Sequence, residues 1–137
     1  MSHALKLYCQ TSSLAELRKF IQMELQETGI SDALQLQLTL AVEEVCANLI
    51  IHSHNCDATE HITVDVIKST QAITFEIIDD GNAFNLLEYQ VPDLQTVMDA
   101  KRKGGLGIIL IKKIMDKIEF ISNGSTNTCR LTKKISS

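Results

Sequence analysis

The chain has 137 residues, 45% hydrophobic and 22% charged, with a formal net charge of −4 and a pI near 5.5. That length fills one hydrophobic core but not two, so residues 1–137 are expected to form a single domain. An acidic balance offers no broad footprint for nucleic acid. No apolar run reaches the length of a secretory signal or a membrane span, and a cytoplasmic chain without direct nucleic-acid or membrane partners is expected.

Leu5, Leu7 and Cys9 alternate with polar or amphipathic neighbours, which predicts a short first strand. Ser12 or Ser13 is placed to cap a helix with Leu14, Leu17, Ile21 and Leu25 on one face, ended by Gly29. Ser31 or Asp32 then caps a second helix carrying Leu34, Leu38, Ala41, Val45 and Leu49. At about 100° per residue, Glu44, Asn48 and His52 form a polar stripe bordering that apolar face. Residues four apart on a helix lie one above the other. The Glu44 carboxylate and the Asn48 amide therefore address the same small volume, where one oxygen suits a divalent cation and the other a proton.

Ile62–Lys68 and Ile73–Asp79 are alternating segments joined by a short polar turn, a hairpin. The second runs into Asp79-Asp80-Gly81-Asn82-Ala83-Phe84. An Asp two residues before a glycine at a strand end lets the backbone pass close to a flat ring while the carboxylate accepts hydrogen bonds from its edge. Leu86 to Lys103 is irregular and holds the only proline, Pro92, with a helical turn near Leu94 to Ala100. Gly104-Gly105-Leu106-Gly107 then opens a helix running from Gly107 to Lys117. Glycines in that position leave backbone N–H groups and the positive helix end to phosphate oxygens. Ordered as helix, each glycine costs roughly 0.5–1 kcal/mol relative to alanine, so a ligand is the more economical explanation of three in four residues. Lys101, Arg102 and Lys103 precede the loop and Lys112, Lys113 and Lys117 follow it, a basic patch suited to phosphate. Ile118–Ser122 and Thr126–Lys133, joined through Asn123-Gly124, read as a closing hairpin.

Other nucleotide sites are excluded by spacing. Leu110 stands where a dinucleotide fingerprint needs its third glycine, the loop does not follow a strand, and no Walker A sequence is present. His52, His54, Cys56 and His61 are metal-capable, but their spacing fits no familiar zinc pattern. Cys9, Cys46, Cys56 and Cys129 are scattered without paired spacing and read as reduced thiols, mostly in the core.

Three ordered segments resemble the GHKL superfamily of ATPases and kinases, and within it the small stand-alone anti-sigma-factor serine-protein kinases of bacterial partner-switching systems. Ala41 to His52 is similar to their N box, Ile78 to Asn85 to the first glycine box, and Lys103 through Asp116 to the second. The likeness runs from about Ser12 to the C-terminus. It implies an α/β fold of the α+β kind: a Bergerat-type two-layer sandwich with helices on one face of a mixed, mainly antiparallel sheet. ATP would lie between the helices and a lid formed by residues 86–103. The resemblance further implies that Asn48 coordinates Mg²⁺, that Glu44 is the general base toward a serine or threonine hydroxyl, and that Asp79 receives the adenine amino group. By the same likeness His52, Gly81 and Phe84 belong to the nucleotide site. Lys103 contacts the terminal phosphate, Gly104, Gly105, Leu106 and Gly107 supply the phosphate loop, and Thr128 supports the adenine site. Some members have arginine where Lys103 stands; lysine gives a point charge instead of a fork. The implied substrate is an anti-anti-sigma protein of the STAS type, with a sigma factor and a second copy of the chain as further partners. Two other functions compete with kinase: an ATP-dependent binding module without phosphoryl transfer, and a GHKL-type ATP hydrolase.

Overall fold

The computed structural model of the chain describes residues 2–50, 59–80, 105–124 and 126–135. In chain order they form β1 (Ser2–Tyr8), α1 (Ser13–Gln26), α2 (Asp32–Asn48), β2 (His61–Lys68), β3 (Ala72–Asp80), α3 (Gly105–Ile114), β4 (Lys117–Asn123) and β5 (Thr126–Lys134).

The helices start and stop for local reasons. In α1 the stripe Leu17, Ile21 and Leu25 is buried, as its spacing predicts. Its first turn lacks the expected serine cap: the Ser12 side chain makes no capping bond, and the Ser13 N–H donates instead to the Gln10 carbonyl at 3.0 Å. At the other end the Thr28 hydroxyl donates to the Leu25 carbonyl at 2.7 Å, and Gly29 takes φ +75°, a left-handed value that glycine adopts without steric cost. Ser31 does cap α2, its Oγ accepting the Leu34 N–H at 3.1 Å, an interaction that typically contributes about 1 kcal/mol. Helix α3 begins at Gly105, two residues before the predicted start, and ends at Ile114, short of Lys117. After the Met115 amide bonds the Ile111 carbonyl, the Asp116 amide bonds the Thr132 carbonyl of β5, both at 3.0 Å. The sheet takes the chain from there.

The five strands lie in the order β1-β2-β3-β5-β4, and every pairing among them is antiparallel. The mixed sheet implied by the resemblance therefore has no parallel pair among the described residues. Each strand turns alternate residues to the helices. Leu7, Ile62, Val64, Val66, Ile73, Phe75, Ile77 and Leu131 are fully buried on that side, packed with Leu17, Ile21, Leu38 and Val42 of the helices. The opposite face is charged and threonine-rich, with Glu76 and Arg130 paired across β3 and β5.

Among the described residues Phe75 is the largest fully buried side chain, in the middle of β3. Truncating it removes apolar contact on both the strand and helix sides and leaves a cavity. Phe75→Ala is expected to lower unfolding free energy by about 3–5 kcal/mol in a urea titration. A loss under about 1 kcal/mol, within the range of ordinary surface changes, would mean that the core does not centre there.

Candidate functional site

Two of the predicted site residues sit one turn apart at the end of α2. Asn48 is 6% exposed, and its Nδ2 donates to the Glu44 backbone carbonyl at 2.9 Å and to Glu44 Oε1 at 3.4 Å. An amide is planar with its nitrogen and oxygen on opposite sides, so this arrangement turns Asn48 Oδ1 away from Glu44. Among the described residues no hydrogen bond takes up that oxygen. A neutral oxygen held in one orientation fits one position of a Mg²⁺ shell, which draws its other ligands from water and phosphate.

Glu44 is half-buried. Burial raises its carboxyl pKa above the ordinary carboxylate value, the Asn48 hydrogen bond partly offsets this, and the neighbouring charge of Glu43 adds to the rise. Glu43 is itself held by Arg18 of α1, whose Nη2 lies 2.7 Å from Glu43 Oε1. A carboxylate that is dehydrated on one side and oriented by an amide is a better proton acceptor than one in water.

Asp79, next to last in β3, is only 4% exposed. It shares the helix-facing side of the sheet with Phe75 and Ile77. The Cys129 thiol of β5 is pushed up to about 12, first by burial and then by the Asp79 charge, and Cys46 of α2 is raised by burial and by Cys129. Val45 and Cys46 of α2 share one packed core with Ile77 of β3 and Cys129 of β5, so the end of β3 and the last turns of α2 lie on one side of the sheet. Helix α3 packs against α2, with Gly105, Leu106 and Gly107 in its first turn, so the described parts of the three segments singled out in the sequence lie near α2.

The thiol shifts have a direct consequence. With Cys129 near 12 and Cys46 raised further by full burial, neither carries appreciable thiolate at pH 8. Iodoacetamide at that pH should leave both unlabelled in the folded chain and label them only in denaturant. Rapid native labelling, read by peptide mass, would contradict this packing.

Thr128 is a correction. In β5, Asn127, Cys129 and Leu131 are buried and face the helices, which puts Thr128 on the opposite side, paired with Ile78. It cannot reach a site that contains the Asp79 carboxylate. The residue facing Asp79 across the β3–β5 pair is Asn127, 1% exposed, whose Oδ1 accepts the Ser122 hydroxyl at 2.9 Å. The sequence held the signal: once Cys129 and Leu131 are taken as inward, a period of two makes Asn127 inward and Thr128 outward.

His52, Gly81, Phe84, Lys103 and Gly104, and the lid assigned to residues 86–103, lie outside the described residues. So do His54 and Cys56, while His61 packs its ring edge against Tyr8. Among the described residues no group of three or more His, Cys, Asp or Glu side chains is arranged to hold a metal, and no helix is long and apolar enough to cross a membrane.

An antiparallel sheet layered with helices, with an acid–amide pair on one helix and a buried Asp at a strand end below it, is the Bergerat ATP-binding sandwich. The chain belongs to the histidine kinase-like ATPase domain family, which matches residues 9–133. It is homologous to anti-sigma F factors, being 32% identical over 102 residues to those of Bacillus thuringiensis (strain Al Hakam) and Bacillus mycoides (strain KBAB4). Each alignment covers 73% of this chain and 69% of the relative. The fold is similar to that of the RsbU and RsbW domains of a Mycobacterium tuberculosis protein, with a TM-score of 0.68 at 14% identity. That comparison covers 97% of this chain, which spans only 32% of the other. It is also similar to a chain in the SiaB–SiaC complex from Pseudomonas aeruginosa, with a TM-score of 0.64 at 12% identity over 97% of this chain and 89% of that one.

Proposed function

We infer that the chain is an ATP-dependent serine/threonine-protein kinase and anti-sigma regulator of a bacterial partner-switching system, and that its substrate is an anti-anti-sigma protein of the STAS type. The observation that carries this reading is the Glu44–Asn48 pair, a half-buried carboxylate oriented by a buried amide one turn away. An ATP-holding module without chemistry has no use for a dehydrated acid that raises the cost of ionisation.

In this reading Asp79 accepts the adenine amino group, with Asn127 beside it on the same face. The first turn of α3 offers its N–H groups to phosphate oxygens, and Lys103 and Gly104 extend that cradle. Asn48 Oδ1 would hold Mg²⁺, which when bound neutralises phosphate charge. Glu44 accepts the proton of the substrate hydroxyl as that oxygen bonds to the γ-phosphorus. The bond between the γ-phosphorus and the β-phosphate oxygen breaks, and ADP leaves with the electron pair. A cytoplasmic location and a sigma factor as second partner accord with the anti-sigma relatives.

The fate of the γ-phosphate tests this. Incubating the chain with γ-labelled Mg-ATP and candidate anti-anti-sigma proteins is expected to give a phosphoserine or phosphothreonine protein. Free phosphate alone would make the chain a hydrolase, and unchanged ATP with a retained complex would make it a binding module.

A further inference from the structure

One row of the sheet changes character partway across. On the helix-facing side Leu7, Ile62, Asp79, Asn127 and Ser122 stand next to one another on β1, β2, β3, β5 and β4, apolar on the first two strands and polar on the rest. The adjacent row on the same side, Leu5, Val64, Ile77, Cys129 and Phe120, holds no charged or amide side chain. Asp79 and Asn127 are buried to 4% and 1% exposure, where a polar side chain costs stability unless its hydrogen bonds are met. The amide also has a direction. The Ser122 hydroxyl, on the β4 side, donates to Asn127 Oδ1 at 2.9 Å. Nitrogen and oxygen lie on opposite sides of a planar amide, so Nδ2 is turned away from β4, to the side where Asp79 stands.

Side chains directly opposed on neighbouring antiparallel strands have Cβ atoms about 4.5–5.5 Å apart, close enough for both tips to meet one ring edge. The sheet therefore sets an acceptor, the Asp79 carboxylate, next to a donor, the Asn127 N–H, and the Ser122 hydroxyl decides which end of the amide takes that place. Adenine carries the matching pair on one edge: an exocyclic amino group that donates and, beside it, a ring N1 that accepts. Guanine and hypoxanthine carry the reverse, a carbonyl oxygen beside a protonated N1. Resting on the adenine placement given above, we propose that Ser122, Asn127 and Asp79 form one base-reading row, in which Asn127 donates to ring N1 while Asp79 accepts from the amino group. Ser122 is the positioning residue of that row: from the edge strand, without touching the nucleotide, it makes the site select adenine.

Calorimetric affinities of the full chain for Mg-ATP, for Mg-1-deaza-ATP, in which a C–H replaces N1, and for Mg-ITP test this. The parent chain is expected to bind 1-deaza-ATP about three- to tenfold more weakly than ATP, the worth of one hydrogen bond, and ITP more weakly still. Ser122→Ala frees the amide to turn its oxygen toward the base, so the preference for ATP over ITP should fall by about three- to tenfold while circular dichroism still shows a cooperative melt. Ser122→Thr keeps the hydroxyl and should restore the preference, which a merely structural serine would not have moved. Equal affinity of the parent for ATP and either analogue overturns the proposal, and so does an ATP-to-ITP ratio that Ser122→Ala leaves unchanged. Asp79→Asn separates the two levels of the reading. If it weakens ATP binding while either of those contrary results holds, the adenine placement stands and the row alone fails; if ATP affinity is indifferent to Asp79, both fail.

Discussion

Replacing Glu44 by Gln is expected to abolish phosphoryl transfer while ATP and the protein substrate still bind. The amide keeps the length and planarity of the carboxylate, so the 3.4 Å contact with Asn48 has a near-isosteric substitute, but an amide oxygen cannot take the hydroxyl proton. Loss of general-base catalysis typically costs 10²–10⁴-fold in rate. The same change should slightly stabilise the fold. Glu44 has a raised carboxyl pKa, so its folded state binds the proton more tightly than the unfolded chain, and stability falls as pH rises through the window between the two values. Above that window the ionised, half-buried carboxylate opposes folding. After discounting for solvent screening, Glu44→Gln should raise Tm by about 1–3 °C at pH 7, a difference that closes below the ordinary carboxylate pKa. A variant that phosphorylated at the parental rate would remove Glu44 as the base.

The second large effect is on binding. Asp79→Asn keeps the volume of a side chain that is 4% exposed but replaces a charged acceptor by a neutral group that also brings donors. Losing a charge-assisted hydrogen bond of this kind costs on the order of 1.5–3 kcal/mol, about tenfold to a hundredfold in ATP affinity. Cys129 reports whether the charge has gone, because part of its raised pKa comes from Asp79 and the thiol should titrate lower in the variant. Unchanged ATP affinity by calorimetry, with the thiol shifted, would place the adenine elsewhere.

The parts of the fold legible in the sequence were those set by local chemistry. Ser31 capping α2, Gly29 ending α1 and the buried stripe Leu17, Ile21 and Leu25 follow from short-range rules and stand in the structure as expected. Glu44 and Asn48 were readable as a pair because helical spacing alone fixes their proximity. What depended on partners distant in the chain was harder to read. Ser12 loses its capping role to the Gln10 carbonyl, and α3 ends early because Asp116 is claimed by Thr132 of β5. Thr128 was taken by likeness to a threonine in the family, while the choice between it and Asn127 rests on which side of β5 faces the helices. The alternation of Asn127, Cys129 and Leu131 carried that side in the sequence, and the structure bears it out by burying all three and setting Asn127 opposite Asp79.

The kinase function proposed for this chain passes through a nucleotide seated between the end of β3, the last turns of α2 and the first turn of α3. Hydrogen exchange followed residue by residue, with and without Mg-ATP, tests that most directly. Slowed exchange is expected at residues 44–50, 77–80 and 105–111, with no change along the edge strand at 117–121. Protection confined to the edge strand, or none at saturating Mg-ATP, would contradict it.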